Sequence, residues 1–269
     1  MKRASGPINA PRGGRRKGGM KKTEAISSRF FGSALPGVKE EDLAGNLFVI
    51  EGTDGSGRST QIALLKEWLE LEGFAVETMG LRRSYLVAED IDTLMAENSI
   101  TRLTLALMYC TDLYDQLERR ILPALRSGLV VLADRYIFTL IARGAVRGIQ
   151  REYLHGIYEL ALRPDLTFWL TVGPQAAFDR EFKKSHSISY WEAGRDMSLS
   201  DDLYQSFVRY QLLVRKEFEQ LSLRHGFIEI DGEHPIPVVN RQLRARIAAH
   251  LGIRGTRYEP SHALAHLWR

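Results

Sequence analysis

The sequence predicts an α/β fold of three layers, with a parallel sheet covered by helices on both faces. Short β-rich apolar runs alternate with longer helical segments from Gly45 onward, and strands separated by helices require crossover connections that cover both faces. A glycine-rich turn, Gly52 to Gly57, joins the first run to the first helical segment. No fixed-period repeat and no linker interrupts residues 45–253, so they read as one domain.

The first strand is Leu47-Phe-Val-Ile50, and the turn leads into a helix over 58–72 whose apolar residues include Leu64, Leu65, Trp68 and Leu71. Ala75-Val-Glu-Thr-Met79 is the second strand. A long helical segment spans 101–127, where Ala106, Cys110, Leu113, Leu117, Ile121 and Leu125 recur at three- to four-residue spacing. That spacing makes one buried face, and Pro123 within it predicts a kink or an early end. Leu129 to Ala133 forms the third strand, and helices over 150–162 and 174–184 flank the fourth, Leu166 to Val172. A helix over 201–225 precedes the fifth strand, Phe227 to Ile230, and a helix over 236–251 follows it. Residues 1–44 are expected to be a basic, glycine-rich tail, disordered in part, and 254–269 a C-terminal extension without clear period. In that extension His262 and His266 stand at i, i+4 with no carboxylate or thiol nearby, so a metal pair is the minor reading.

Composition excludes several classes. The chain is 44% hydrophobic and 26% charged, the balance of an ordinary globule with a core. Its one cysteine, Cys110, rules out an intrachain disulfide and fits a reducing, cytoplasmic setting. No apolar run approaches the roughly 20 residues that span a bilayer. The net charge of +4 hints at nucleic acid, but residues 1–22 hold eight basic and no acidic side chains. Removing those eight from +4 leaves −4 for the rest. The folded part is mildly acidic, and no specific nucleic-acid partner is expected.

The sharpest signal is Gly52-Thr53-Asp54-Gly55-Ser56-Gly57-Arg58-Ser59-Thr60, directly after a strand and opening a helix, the context a phosphate-binding loop requires. Glycines let the backbone turn tightly so that several amides converge on one anion, and the helix N-terminus adds a favourable partial charge. Ser59, or Thr60 beside it, can place a hydroxyl on Mg²⁺. The competing reading is a ligand-free strand-to-helix turn. Arg58 stands where such loops carry lysine. Its fork can hold the β- and γ-phosphates bidentately, but the two cations are not interchangeable, so phosphate binding is expected and turnover is left open. The third strand ends in Asp134-Arg135-Tyr136. Ligands of open parallel sheets sit beyond the carboxyl ends of the strands, which puts Asp134 near Mg²⁺ and Arg135 near an acceptor phosphate. A salt bridge closing the strand end is the alternative.

The stretch Phe48 to Gln61, including Asp54 in the loop and Gln61 after it, resembles the opening of the thymidylate kinases, a family of P-loop nucleoside monophosphate kinases. Asp134-Arg135-Tyr136 is similar to that family's second motif, followed by Ala142 and Arg147-Gly148, and Pro164 to Thr167 is similar to a third stretch. The resemblance covers about residues 45–250. It implies a P-loop NTPase fold with a five-stranded parallel sheet, ATP with Mg²⁺ as donor, dTMP as acceptor and frequently a homodimer. Carried over by position, Gly52 to Thr60 would cradle the ATP phosphates, with Ser59 and Asp134 at the metal. Asp54 would contact the acceptor sugar or the metal, and Arg135 the acceptor phosphate. Tyr109 would stack on the base, or else be a core aromatic. Arg82, or Arg83 beside it, would supply a phosphate contact, and Tyr136 is grouped with the substrate residues as part of the second motif. Lys183, Lys184 and Arg195 are the cations available to a lid.

Departures cluster where base and acceptor are read. Leu113 replaces an arginine, Ala142-Arg143-Gly144 replaces a Tyr-Gln-Gly, and Gly80 to Ser84 replaces an Arg-Glu-Pro stretch. Three functions are therefore weighed: a dTMP kinase of nucleotide biosynthesis, a degenerate nucleotide-binding module, and a phosphotransferase for another small acceptor.

Overall fold

The computed structural model describes residues 28–255 and 257–268; the basic stretch 1–22 lies outside them. Five strands, β1 (Asn46–Gly52), β2 (Val76–Gly80), β3 (Val130–Asp134), β4 (Leu166–Thr171) and β5 (Ile228–Asp231), form one sheet in the order β2-β3-β1-β4-β5. Every pairing is parallel. β1 is central, and its neighbours on either side are reached by crossovers in opposite directions, so a crevice opens at its carboxyl end.

The helices are α1 (Arg58–Leu71), α2 (Ala88–Ala96), α3 (Arg102–Gln116), α4 (Leu122–Arg126), α5 (Ile137–Val146), α6 (Arg151–Ile157), α7 (Pro174–Ser185), α8 (Leu203–His225) and α9 (Ile236–Leu251). Side chains of a strand alternate between faces, and here both faces are dry. On β1, Leu47 and Val49 join the core under α3, α5 and α8, whereas Phe48 and Ile50 join the core under α1 and α9. Val131 and Ala133 against Val130 and Leu132 repeat this division on β3. Burial on both sides is why these strands read as unbroken apolar runs.

Several local expectations shift. The helical segment 101–127 is one continuous rod with a π-turn, Leu117–Ile121, just ahead of Pro123. A proline lacks the N–H that an α-helix needs, and the wider turn absorbs that loss without a break. α2 and α5 were not foreseen. The boundary at residue 44 also moves: Phe30, Leu35 and Leu43 are buried in the main core, and Phe30 bridges to Leu162. Residues 257–268 pack on α1 and α9, where Tyr258 is buried among the residues of that core. Among the described residues no cluster of three or more potential metal ligands occurs, and no helix is long and apolar enough to cross a membrane.

Candidate active site

The loop after β1 turns through three glycines at positive φ: Gly52 (157°), Gly55 (73°) and Gly57 (89°). Gly55 has no substitute, because a Cβ there would lie 2.3 Å from the carbonyl oxygen of Ala177 and L-residues disfavour its backbone. Gly57 caps α1 in the left-handed region and lets the chain enter the helix. Asp54 to Gln61 line part of a cavity of about 740 Å³. Its other walls are Arg180, Glu181 and Lys184 of α7, Glu192, the turn Gly232 to Pro235 after β5, Ile236, Pro237 and Val239 of α9, and Trp268.

Arg58 is folded back on its own loop. Its Nη1 donates to the carbonyl oxygens of Gly52 at 2.8 Å and of Thr53, and to Ser56 Oγ at 2.9 Å. Its Nε donates to Asp134 Oδ1 at 2.9 Å, and Ser59 Oγ donates to the other oxygen of Asp134 at 2.7 Å. Burial would push the Asp134 carboxyl up, but Arg58 and the Ser59 hydroxyl outweigh it and hold the group ionised below its usual range. The strand-end salt bridge and the loop-capping cation are thus one structure.

A second ion network lies beside it. Asp54 accepts from Arg135 Nη2 and from Arg143 Nη2, the latter at 2.8 and 3.1 Å. Burial opposes ionisation of Asp54, yet Arg143, then Arg135 and Arg58, hold its carboxyl well below the ordinary carboxylate range. Arg135 also donates to Gly52 O at 2.8 Å and to Thr139 Oγ1 at 3.2 Å. Desolvation and the nearby Arg58 lower its pKa to about 10. Arg135 sits at φ 73°, and Glu51 secures that turn by accepting from the amides of Tyr136 (2.9 Å) and Thr139 (3.2 Å) and from the Thr139 hydroxyl. Burial raises the Glu51 pKa, only partly offset by the Thr139 hydroxyl. An acidic residue inside an apolar strand was its sequence signal.

Two further cavities adjoin. One, of about 200 Å³, is bounded by Arg58, Arg82, Arg83, Arg135 and Arg143 against Asp54, Asp134 and Glu192. Five guanidinium-bearing residues against three carboxylates suit a dianionic phosphoryl group. That cavity shares Arg82, Tyr109, Arg143 and Glu192 with a cavity of about 550 Å³ walled also by Leu105, Leu140, Arg147 and Trp191. The loop of Arg82 to Ser84 is fixed from α3: Asp112 accepts their three amides at 2.8–3.0 Å, and Gln116 donates to Gly80 O at 2.8 Å. Asp54 and Arg58 line both the cavity beside the glycine loop and the arginine-rich cavity, and Glu192 lines all three.

The structure therefore gathers Gly52 to Thr60, Asp134, Arg135, Arg82 and Tyr109 around one crevice. Tyr136 is a correction. It is fully buried, its hydroxyl donates to Leu162 O at 3.1 Å, and it lines none of these cavities. As the N-cap residue of α5 it turns inward, so it supports the motif without touching a substrate. Of the lid candidates, Lys184 lines the cavity beside the glycine loop, whereas Arg195 donates to Ser200 O and Asp201 O and lines none of these cavities. Arg180, one helical turn before Lys184, was missed, as were Glu51, Glu192 and Trp268. Arg143 is the side chain in the replaced Tyr-Gln-Gly stretch, and its pairing with Asp54 joins residues 89 apart in sequence.

Comparison with known proteins agrees with this geometry. The family model described as "Thymidylate kinase" matches residues 50–242. A "Probable thymidylate kinase 2" of Saccharolobus solfataricus is 33% identical over 210 residues, covering 78% of this chain and 98% of the relative. A "Probable thymidylate kinase" of Pyrococcus abyssi is 37% identical over 201 residues, covering 71% and 93%. A "Thymidylate kinase" of Chlorobium chlorochromatii is 30% identical over 213 residues, covering 76% and 95%. A family model over residues 50–242, and relatives 30–37% identical that each cover more than two thirds of the chain, show that the chain belongs to the thymidylate kinase family.

Proposed function

We propose that this protein is an ATP-dependent nucleoside monophosphate kinase that phosphorylates dTMP to dTDP in dTTP biosynthesis. The observation that carries this reading is the meeting of two cavities at Asp54 and Arg58. One is bounded by the phosphate loop, the other by arginines and an aromatic. An oxygen of the acceptor phosphate attacks the γ-phosphorus of ATP, the β–γ bridging bond breaks, and ADP departs. Little covalent chemistry falls to the protein, so its contribution is alignment and charge stabilisation.

The loop holds the donor phosphates, with Arg180 and Lys184 approaching from α7. Arg82, Arg83, Arg135 and Arg143 receive the acceptor phosphate, while Asp54 holds Arg135 and Arg143 in place. Tyr109 forms a face for the base. The donor set fits Mg²⁺: Ser59 gives its hydroxyl hydrogen to Asp134 and keeps oxygen lone pairs for a hard cation. Absence of a protein-only cage among the described residues is normal for an ion that takes most of its ligands from phosphates and water. When bound, the ion would neutralise charge on the phosphate oxygens. We further infer a cytoplasmic homodimer, supported by the lone Cys110 and by Leu103 and Leu107, exposed one turn apart on α3.

The test is a panel of nucleoside monophosphates with ATP, with and without Mg²⁺, followed by separation of the products. Mg²⁺-dependent dTDP and ADP formation is expected. ATP binding without transfer to any monophosphate would refute the kinase reading.

A further inference from the structure

We infer that the segment 257–268 completes the donor site, with the indole of Trp268 forming a wall for the purine ring of the incoming nucleotide. This rests on the donor reading of the 740 Å³ cavity given above. The phosphate loop lines part of that cavity, so a nucleotide whose phosphates it grips must lay its base against the remaining lining. That lining includes an apolar group: Pro235, Ile236, Pro237, Val239 and Trp268. The large aromatic of the group comes from a segment beyond the 50–242 stretch matched by the family model.

Trp268 is held rather than loosely apposed. Its ring packs edge-to-face with Tyr258 at 5.7 Å between centroids. The Tyr258 hydroxyl donates to Glu67 Oε1 at 3.1 Å, and Ser261 donates to the same carboxylate through its amide at 2.7 Å and its hydroxyl at 2.8 Å. Burial opposes ionisation of Glu67, but these hydrogen bonds, led by the Ser261 amide, hold it below its usual range. Glu67 lies on α1, the helix that begins at Arg58. A second tie runs from the same helix. Gln61 donates to Ile236 O at 3.2 Å and accepts from Asn240 at 3.0 Å, and Arg244 donates to Asn240 Oδ1 at 2.7 Å. The Arg244 guanidinium lies over the rings of both Tyr258 (5.1 Å) and Trp68 (5.9 Å). The phosphate-loop helix, the base-side turn and the Trp268 segment are therefore one framework, and stacking on an indole accepts any base with a π-face.

Titration of the full-length chain with ATP and with inorganic tripolyphosphate, which has no base, tests this. The variants are Trp268→Ala, Trp268→Leu and Trp268→Phe. ATP dissociation constants should rise about tenfold for Ala and Leu and stay within about threefold for Phe, with tripolyphosphate binding unchanged. ATP-induced quenching of tryptophan emission should vanish in Trp268→Phe. ATP binding within about twofold of wild type in the Ala and Leu variants overturns the inference. So does an equal loss for ATP and tripolyphosphate, which would mark a general loosening of the loop. Equal wild-type affinity for the two ligands also overturns it while sparing the donor-site reading. Failure of the wild type to bind either ligand removes both.

Discussion

Replacing Arg58 by lysine keeps one positive charge and deletes a fork. The guanidinium makes four hydrogen bonds, one from Nε to Asp134 and three from Nη1 to Gly52 O, Thr53 O and Ser56 Oγ. An ammonium donates from one point. It can serve the loop carbonyls or the carboxylate, so the Asp134 bond and at least one loop bond are lost. Hydrogen bonds to charged groups contribute about 1.5–3 kcal/mol and neutral ones about 0.5–1.5. Both side chains are 10% exposed, so water compensates little. Arg58→Lys should therefore cost about 2–4 kcal/mol of stability. Urea unfolding of wild type, Arg58→Lys, Asp134→Asn and the double variant closes a thermodynamic cycle, with an expected coupling of about 1–3 kcal/mol. ADP release under saturating substrates should slow about tenfold or more in Arg58→Lys, as alignment at the shared wall is lost. Wild-type stability together with a faster transfer rate would show instead that the arginine is a decayed lysine, and that its loop contacts are incidental.

The two tyrosines should separate cleanly. Tyr109→Ala should raise the KM for the acceptor about tenfold with the KM for ATP unchanged, whereas Tyr136→Phe should leave both unchanged and lower stability by about 1–2 kcal/mol through its orphaned Leu162 carbonyl; steady-state kinetics and urea melts check both. His225 gives a pH signature. It is half-buried among Phe31, Phe138, Phe227 and His155, its Nε2 has no partner among the described residues, and desolvation, then Arg224, lower its pKa to about 4 from 6.5. The unfolded chain binds this proton first, so stability should fall as pH drops from 6.5 to about 4. Allowing for solvent screening, His225→Phe should remove a slope on the order of 1 kcal/mol across that window, measured by unfolding at several pH values.

The sheet was legible because both of its faces are dry, which turns each strand into an apolar run. The same burial hid α5. Seven of its ten residues are buried, so the segment reads as one more short apolar run after Asp134-Arg135-Tyr136. α2 was hidden for the opposite reason: it is short, and of its apolar stripe Ile91, Leu94 and Met95 only Ile91 is fully buried. The glycine turn from Gly52 to Gly57 was legible because its geometry is local and glycine spacing encodes it directly. Glu192, Arg180 and Trp268 enter the crevice through tertiary placement, which adjacency in sequence does not reveal. Tyr136 shows the converse error: contiguity with Asp134 and Arg135 suggested a shared role, but the turn into α5 sends its side chain into the core.

Asp112 and Gln116 hold the Gly80–Ser84 loop, and Tyr109 lies one turn earlier on the same helix. The aromatic face and the basic loop are therefore parts of a single cassette. A chimera meant to change which monophosphate is accepted should transplant residues 80–116 whole, since exchanging Tyr109 alone would leave the foreign loop unmoored.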